Sequence, residues 1–184
     1  MIRRLLVAAL AVVALATLGY WLVVHDEVAK VRELAKSAQP PPPLVKSVFL
    51  ASEGPLLERT PAGLRGLNCL RPRVVCCVAT LANRVARQVC PHRVRMIRWH
   101  LENILVSDAL ARTFTPEELL AVHLSEAGVE SSARAYFGKP AAELSLEEAA
   151  TVVASLRAPA YYRRHPEKLA ERRNRLLRQM KPHP

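Results

Sequence analysis

The chain has 184 residues, 51% of them hydrophobic, and its 27 Lys and Arg outnumber 16 Asp and Glu for a formal net charge of +11. This length is enough for one domain plus an anchor. The positive charge favours an anionic partner, such as phospholipid headgroups, a diphosphate or nucleic acid, but does not choose among them. Alternating strand patterns are absent and helical spacing dominates, so a mostly α fold is predicted.

Residues 1–26 are predicted to be a transmembrane anchor. The apolar run follows Arg3 and Arg4 and continues to Val24, with Tyr20 and Trp21 near its far end. About 20 such residues in a helix span the roughly 30 Å hydrocarbon core, and amphipathic aromatics favour the interface. The arginines predict an N-terminus inside the cell and the rest of the chain outside.

A cleaved signal peptide is the rival interpretation, because Ala14-Leu15-Ala16 resembles a small-residue cleavage site. The apolar run is long for a signal peptide and continues past that site, which favours a retained anchor. Residues 27–43 are predicted to form a juxtamembrane helix and a proline-rich linker. A short helix from His25 to Gln39 would precede Pro40 to Pro43, a stiff polyproline spacer. The apolar face of that helix comprises Val28, Val31, Leu34 and Ala35.

Residues 44–184 are predicted to form the remaining domain. In the last third of the chain, the sequence indicates where helices begin and end. Thr115 with Glu118 and Ser145 with Glu148 each have the spacing of a capping box. Between them, Gly138 predicts a helix end in the left-handed conformation. The pattern predicts a capped helix, a helix end at Gly138 and a second capped helix.

The order of motifs in this region resembles the glycosyltransferase domain of class A penicillin-binding proteins and monofunctional peptidoglycan glycosyltransferases. That family has K-x-x-I-L-E-x-Y-L-N, then G-x-x-x-A-A-x-x-Y-F-G-K, then L-x-x-x-E-A-A, a Pro and a final R-x-x-x-V-L-x-x-M. The matching pieces are Glu117 to Leu120 with His123 to Ser125, Gly128 to Glu130 with Tyr136 to Lys139, Leu146 to Ala150, Ala158-Pro159, and Arg173 with Leu176, Leu177 and Met180. The resemblance implies a lysozyme-like helical glycosyltransferase domain over residues 44–184.

The resemblance also implies an activity and a location. The family polymerises a lipid-linked disaccharide diphosphate into glycan strands, so the expected partners are that precursor, anionic membrane lipids and other cell-wall synthesis proteins, without nucleic acid. The expected location is the bacterial cytoplasmic membrane, crossed once, with the domain on its outer, periplasmic side. No cofactor is evident in the sequence, although relatives allow a divalent cation to assist departure of the diphosphate.

Two carboxylates are expected to carry the reaction. Glu53 falls on the catalytic Glu of the family's E-D-x-x-F-x-x-H motif, although Gly54, Leu57 and Thr60 replace the Asp, Phe and His. The alternative is that Glu53 is a surface residue at a helix end. The second position falls on Glu102 or Asn103, which lie about 100° apart around a helix and therefore cannot both face one site. Glu102 is chosen because Arg98 then precedes it by four residues as an ion-pair partner, at the cost of a one-residue insertion after Glu102. The alternative is that Glu102 is only a solvated partner of Arg98.

Fixed positive charge for the diphosphate is expected from four residues, Arg87, Arg98, Lys139 and Arg173. Arg87 takes the place of the Lys in the family's T-I-T-Q-Q-L-A-K-N, a loose match in which the two Gln become Asn83 and Arg84. No metal-ligand spacing is visible.

Departures from the family pattern support a second hypothesis. The Glu of K-x-x-I-L-E is Ala121, and Ser125 to Gly128 leaves almost no room for the family's glycine-rich loop. A catalytically degenerate relative that binds the lipid-linked precursor or a cell-wall synthesis partner is therefore the alternative to an active enzyme. His100 and His123 are interpreted as core or interface histidines. A basic membrane-anchored protein that touches anionic polymers, and a lysozyme-like hydrolase, are less favoured.

Four cysteines fall in the segment whose sequence gives the weakest indication of its structure: Cys69, Cys76, Cys77 and Cys90. Export permits disulfides, and at least one is expected, with Cys69 to Cys90 weakly favoured among three possible pairings. A zinc site lacks the C-x-x-C spacing, and buried free thiols are the remaining alternative.

Overall fold

A computed structural model describes residues 2–53, 77–89 and 96–180. These residues form helices and no strands, which confirms the prediction of a mostly α fold. The helices are α1 (Ile2–Ser37), α2 (Pro43–Glu53), α3 (Cys77–Val89), α4 (Met96–Thr113), α5 (Pro116–Glu126), α6 (Val129–Phe137), α7 (Leu146–Leu156), α8 (Pro159–Arg164) and α9 (Pro166–Met180), with a 3-10 turn at Ala141–Glu143. The predicted cysteine pairings fall outside the described residues, which exclude Cys69, Cys76, Cys90 and the side chain of Cys77.

Helix α1 is one continuous helix of 36 residues. The sequence predicted an anchor and a separate juxtamembrane helix, but no Gly or Pro near Val24 interrupts the backbone hydrogen bonds between them. The first part is long and apolar enough to cross a membrane, with a mean hydropathy of 2.3 over its most apolar 18 residues, and none of that window is buried in the domain. The second part packs against α3, α4 and α5, and Val31 is fully buried there. The apolar first part of α1 therefore continues directly into a helix that packs in the core of the domain.

The chain turns between α1 and α2 at the predicted proline run. Residues 38–42 are not helical, and Pro43 is the first residue of α2. A proline at the first helical position is favourable because its missing N–H would have no partner inside the helix. Val45 and Val48 are fully buried where α2 packs on α7 and α9.

The core lies between two groups of helices. In one group, α3 packs on α4 and α5 beside the second part of α1, and in the other α7 packs on α2, α6 and α9. Leu110, Leu119, Leu120 and Val152 are at most 1% exposed in this shared interior. Burying a side chain of this kind contributes about 1.5–3 kcal/mol, so this interior is what holds the helices together.

The predicted helix boundaries of the last third are confirmed. The N–H of Glu118 donates to Thr115 Oγ1 and the N–H of Thr115 donates to Glu118 Oε2, at 3.2 and 2.7 Å. Ser145 and Glu148 repeat the arrangement at 3.3 and 2.8 Å. Gly138 ends α6 with φ +67°, the left-handed conformation expected of it. These local signals determine where α5 and α7 begin and where α6 ends.

Candidate functional site

Helix α3 presents arginines on one side and apolar residues on the other. Its buried face consists of Leu81, Ala82, Val85 and Ala86, each at most 6% exposed. This spacing of i, i+1, i+4 and i+5 is typical of one face of an amphipathic helix. The polar face carries Arg84, Arg87 and Gln88. The segment that was the loosest match to the family is thus a regular helix packed into the domain.

The two arginines of α3 lie against aromatic rings on two different helices. The guanidinium carbon of Arg84 is 5.8 Å from the ring centre of Phe49 on α2. That of Arg87 is 5.6 Å from the ring of Trp99 on α4. Both distances are within the range of cation–π interactions. Glu53 follows Phe49 by four residues and Glu102 follows Trp99 by three, so α3 contacts both helices that carry a predicted carboxylate.

His123 on α5 ties the same face of α3 to the core. Its Nδ1 is 3.0 Å from Oε1 of Gln88, and Nε2 of Gln88 donates to the His123 carbonyl at 3.4 Å. The imidazole also meets the Phe49 ring edge-on, with centroids 5.5 Å apart. Burial, followed by the positive charge of Arg84, lowers the pKa of His123 to about 4. The imidazole is therefore neutral at pH 7, and its Nδ1–H donates to Gln88.

His100 and His123, which the sequence analysis interprets as core or interface residues, differ in their surroundings. His123 is 9% exposed, which confirms the interpretation of it as a core histidine. His100 lies on the exposed side of α4, with its ring edge-on to Trp99 at 4.9 Å. The sequence did not reveal this difference, because both positions follow apolar residues.

Glu102 and Asn103 point to different surroundings on α4. Asn103 is 3% exposed, its Nδ2 donates to the Trp99 carbonyl at 2.9 Å, and its Oδ1 is buried without a hydrogen-bond partner. Glu102 is half-buried and makes a polar or electrostatic interaction. A buried amide that bonds to its own helix is poorly suited to proton transfer, so Glu102 remains the better candidate of the two.

The other predicted site residues have local partners or lie outside the described part. Lys139 Nζ is 2.8 Å from Glu148 Oε1, and Arg173 donates to its neighbour Asn174 through Nε and Nη2 at 3.0 and 2.9 Å. The side chains of Glu53 and Arg98 lie outside the described residues, although both positions are helical. The predicted ion pair between Arg98 and Glu102 is therefore untested.

An open groove that the sequence did not predict lies beside the proline segment. Its volume is about 850 Å³, and its lining includes Pro40 to Pro43, Ala121, Leu124, Ser125, Val129 and Pro140. Helices α5 and α6 are joined here by only Ala127 and Gly128, in agreement with the prediction that the family's glycine-rich loop is missing. The proline run, predicted as a spacer, is thus one wall of a groove in the domain.

Metal ligands do not cluster in the part of the chain that the structure describes. Across residues 2–53, 77–89 and 96–180, no three His, Cys, Asp or Glu side chains come together as metal ligands. The divalent cation that the resemblance allows remains an expectation.

Comparison with known proteins agrees with the resemblance. A family model described as transglycosylase matches residues 73–181. The chain is 33% identical over 123 residues to penicillin-binding protein 1A of Aquifex aeolicus, covering 62% of this chain and 17% of the relative. It is 29% identical over 111 residues to penicillin-binding protein 1A of Pseudomonas aeruginosa, covering 55% of this chain and 14% of the relative. A more distant match is penicillin-binding protein 2a of Streptococcus pneumoniae, 25% identical over 91 residues, covering 46% of this chain and 12% of the relative.

The chain spans only about a sixth of the length of the curated relatives it matches. The region that matches the family model nevertheless covers α3 to α9, which includes the arginine face of α3, Glu102 and both capping boxes. Because this match extends over more than half of its residues, the chain belongs to the transglycosylase family.

Proposed function

We propose that this protein is a peptidoglycan glycosyltransferase that polymerises a lipid-linked disaccharide diphosphate into glycan strands. The observation that carries the proposal is the position of α3. Its residues Arg84 and Arg87, one turn apart, contact Phe49 on α2 and Trp99 on α4, the helices that carry Glu53 and Glu102. Two carboxylates and fixed positive charge around one helix are what transfer of a sugar from a diphosphate requires.

In this proposal the two carboxylates have different roles. Glu53 removes the proton from the acceptor sugar hydroxyl as it attacks the anomeric carbon, and Glu102 assists departure of the diphosphate. Arg87 and Arg98 compensate the charge that develops on the leaving group, and direct displacement inverts the anomeric carbon. Lys139 and Arg173 are proposed substrate contacts at the edge of the site, for which Lys139 would have to exchange Glu148 for the substrate.

The proposed location is the outer face of the cytoplasmic membrane, with the first part of α1 as the anchor. The flanking Arg3 and Arg4 favour this orientation. Exposed arginines on α8 and α9 would contact anionic headgroups: Arg163, Arg164, Arg175 and Arg178. Other cell-wall synthesis proteins are proposed partners, and a divalent cation is a proposed aid to diphosphate departure.

The test is polymerisation of purified lipid-linked disaccharide by the full chain in bilayer vesicles. We expect glycan chains from the wild type, and a loss of about 100-fold or more for Glu53→Gln and for Glu102→Gln. Asn103→Leu is the matched control on the neighbouring position, because it removes a buried amide without removing a carboxylate. Wild-type rates for either Gln variant would contradict the assigned roles.

A catalytically degenerate relative is the second candidate. The observation that favours it is the two-residue joint between α5 and α6, which is too short for the family's glycine-rich loop and lies beside an open groove. Such a protein would bind the lipid-linked precursor or a synthesis partner without turnover. Saturable binding of the precursor to vesicles carrying the wild type, with no glycan product, would favour this candidate.

A further inference from the structure

The groove beside the proline segment is lined by residues that have no role in the proposed reaction. Its lining comes from residues 37–43, from α5 and α6, and from residues 140–142. Among these described residues are none of the side chains proposed for catalysis or substrate binding. Its volume of about 850 Å³ is within the roughly 300–1,000 Å³ of clefts that bind ligands. The groove is therefore a candidate binding site of its own.

The proline wall of the groove offers hydrogen-bond acceptors without donors. Proline has no backbone N–H, so the run from Pro40 to Pro43 contributes carbonyl groups alone. The Pro42 carbonyl accepts from the N–H of Lys46 at 2.9 Å. Within the described part of the chain, no hydrogen bond reaches the carbonyls of Gln39 and Pro40. The N–H groups of a ligand that lies along this wall would therefore find acceptors there.

Arg134 on α6 provides donors to the same groove. Its Nε and Nη2 are both 2.9 Å from Oε1 of Glu130, and the other oxygen of Glu130 accepts from the N–H of Ala141 at 2.9 Å. Both oxygens of this carboxylate are thus used to fix the guanidinium and the 3-10 turn in place. An arginine has five N–H donors, and the Arg134 side chain is 65% exposed. It can therefore bind a second carboxylate without first losing Glu130.

The lining favours an extended acidic peptide over other ligands. None of the described lining residues is aromatic, and Arg134 is the only cation among them. A nucleic acid is disfavoured, because it is bound by stacking surfaces and several positive charges. An extended peptide has N–H groups for the proline carbonyls, and a carboxylate on it matches the guanidinium in geometry and charge. The net charge of +11 attracts an acidic segment at longer range.

We propose that this groove binds an extended acidic segment of a partner protein, whose N–H groups bond to carbonyls of the proline segment and whose carboxylate pairs with Arg134. The inference goes beyond the proposed function, because a docking site of this kind requires no turnover by the chain that carries it. Ser37, the last residue of α1, is part of the lining. A partner bound here is therefore held at the end of the helix that carries the apolar N-terminal segment.

The test uses the full chain in detergent micelles and a library of random peptides displayed on phage, selected for binding to the immobilised protein. We expect the retained peptides to be enriched in Asp and Glu and depleted in Lys and Arg. A synthetic copy of the most enriched peptide should bind Arg134→Met about tenfold or more weakly in fluorescence anisotropy, because a charge-assisted hydrogen bond is lost. Ala142→Trp, at an exposed position of the lining, should fill the groove and weaken binding by a similar factor.

Arg112→Met is the matched control, because Arg112 is also an exposed arginine paired with a carboxylate four residues before it. It removes the same charge from α4, outside the groove lining, and should leave the affinity unchanged. Equal losses in Arg112→Met and Arg134→Met would show attraction by net charge alone and would overturn the proposal. The Ala142→Trp result decides the matter even when Arg134→Met does not fold.

Three further outcomes would also overturn the proposal. They are the absence of acidic residues from the retained peptides or of any retained peptide, wild-type affinity in Ala142→Trp, and self-association of the wild type that Ala142→Trp abolishes. The last of these would assign the groove to a second copy of the chain. Polymerisation of the lipid-linked disaccharide tests the proposed function separately, since Ala142→Trp should leave its rate unchanged.

Discussion

Lys139 donates to the same carboxylate of Glu148 that closes the capping box of α7. Nζ of Lys139 is 2.8 Å from Oε1, and the N–H of Ser145 is 2.8 Å from Oε2. The hydrogen bond from Lys139, followed by that from the Ser145 N–H, lowers the pKa of Glu148. One side chain therefore joins the end of α6 to the beginning of α7.

Replacing Glu148 should destabilise the domain more than replacing its neighbour. Glu148→Ala removes the second half of the capping box and the partner of Lys139, whereas Glu147→Ala removes an exposed first-turn carboxylate. We expect Glu148→Ala to lower the melting temperature by about 2–4 °C. Circular dichroism melts of both variants test this, and equal melting temperatures for the two would contradict it. Because the folded pKa is lowered, the stabilisation by Glu148 is present above the unfolded pKa and is lost as the pH falls through the folded pKa.

The joint between α5 and α6 should depend on glycine at position 128. Gly128 has φ +77°, and a Cβ there would lie 2.7 Å from Oγ of Ser131. Gly138 has φ +67° with open space around it. Gly138→Ala should cost about 1–2 kcal/mol from the backbone conformation, and Gly128→Ala should cost more because of the added clash. Chemical denaturation measures both, and the double variant Gly128→Ala with Ser131→Ala should recover the difference. A Gly128→Ala protein as stable as Gly138→Ala would show that Ser131 moves aside freely.

The buried imidazole of His123 should make stability depend on pH. Its folded pKa of about 4 lies below the unfolded value of about 6.5, so the unfolded chain binds more protons between these values. The stability contribution is thus fully present above pH 6.5 and is lost as the pH falls toward 4, with a total of about 3 kcal/mol. His123→Phe should flatten this part of the pH dependence relative to the wild type. Unfolding measured at pH 7 and at pH 4.5 checks this, with His165→Phe at the exposed position that follows α8 as the control. Parallel profiles for the wild type and His123→Phe would contradict burial of a neutral imidazole.

The second part of α1 should be required for folding, unlike the first. Removing residues 2–24 deletes an apolar segment whose large hydrophobic side chains from Leu5 to Leu22 are exposed. Removing residues 2–37 also deletes Val31, which is fully buried, and leaves a gap beside α3, α4 and α5. We expect the shorter deletion to melt cooperatively and the longer one to lose its cooperative transition. Val31→Ala in the full chain should cost about 2 kcal/mol, because it removes two buried methyl groups and leaves a cavity. A cooperative transition in the longer deletion would show that α1 is only a tether.

Much of the fold could be predicted from local sequence signals, and the site less so. Thr115, Ser145 and Gly138 act on backbone groups within a few residues, so their spacing predicts where helices begin and end. The continuity of α1 could not be predicted in the same way, because a change from apolar to amphipathic composition at Val24 resembles a boundary although nothing there breaks a helix. The difference between Glu102 and Asn103 also needed the fold, since adjacent residues on a helix differ only in what packs against each face.

The sequence by itself determined the helical class, the N-terminal helix that is apolar enough to cross a membrane, the capped helices and the membership of the transglycosylase family, because these depend on composition, spacing and motif order along the chain. The tertiary structure decided which side chains are in contact and which are buried. It decided that Arg84 lies over Phe49, that Lys139 is held by Glu148, that Asn103 is buried, and that the proline run forms a wall of a groove. Such contacts join residues far apart in the chain, and they follow from the packing of whole helices around a common apolar interior.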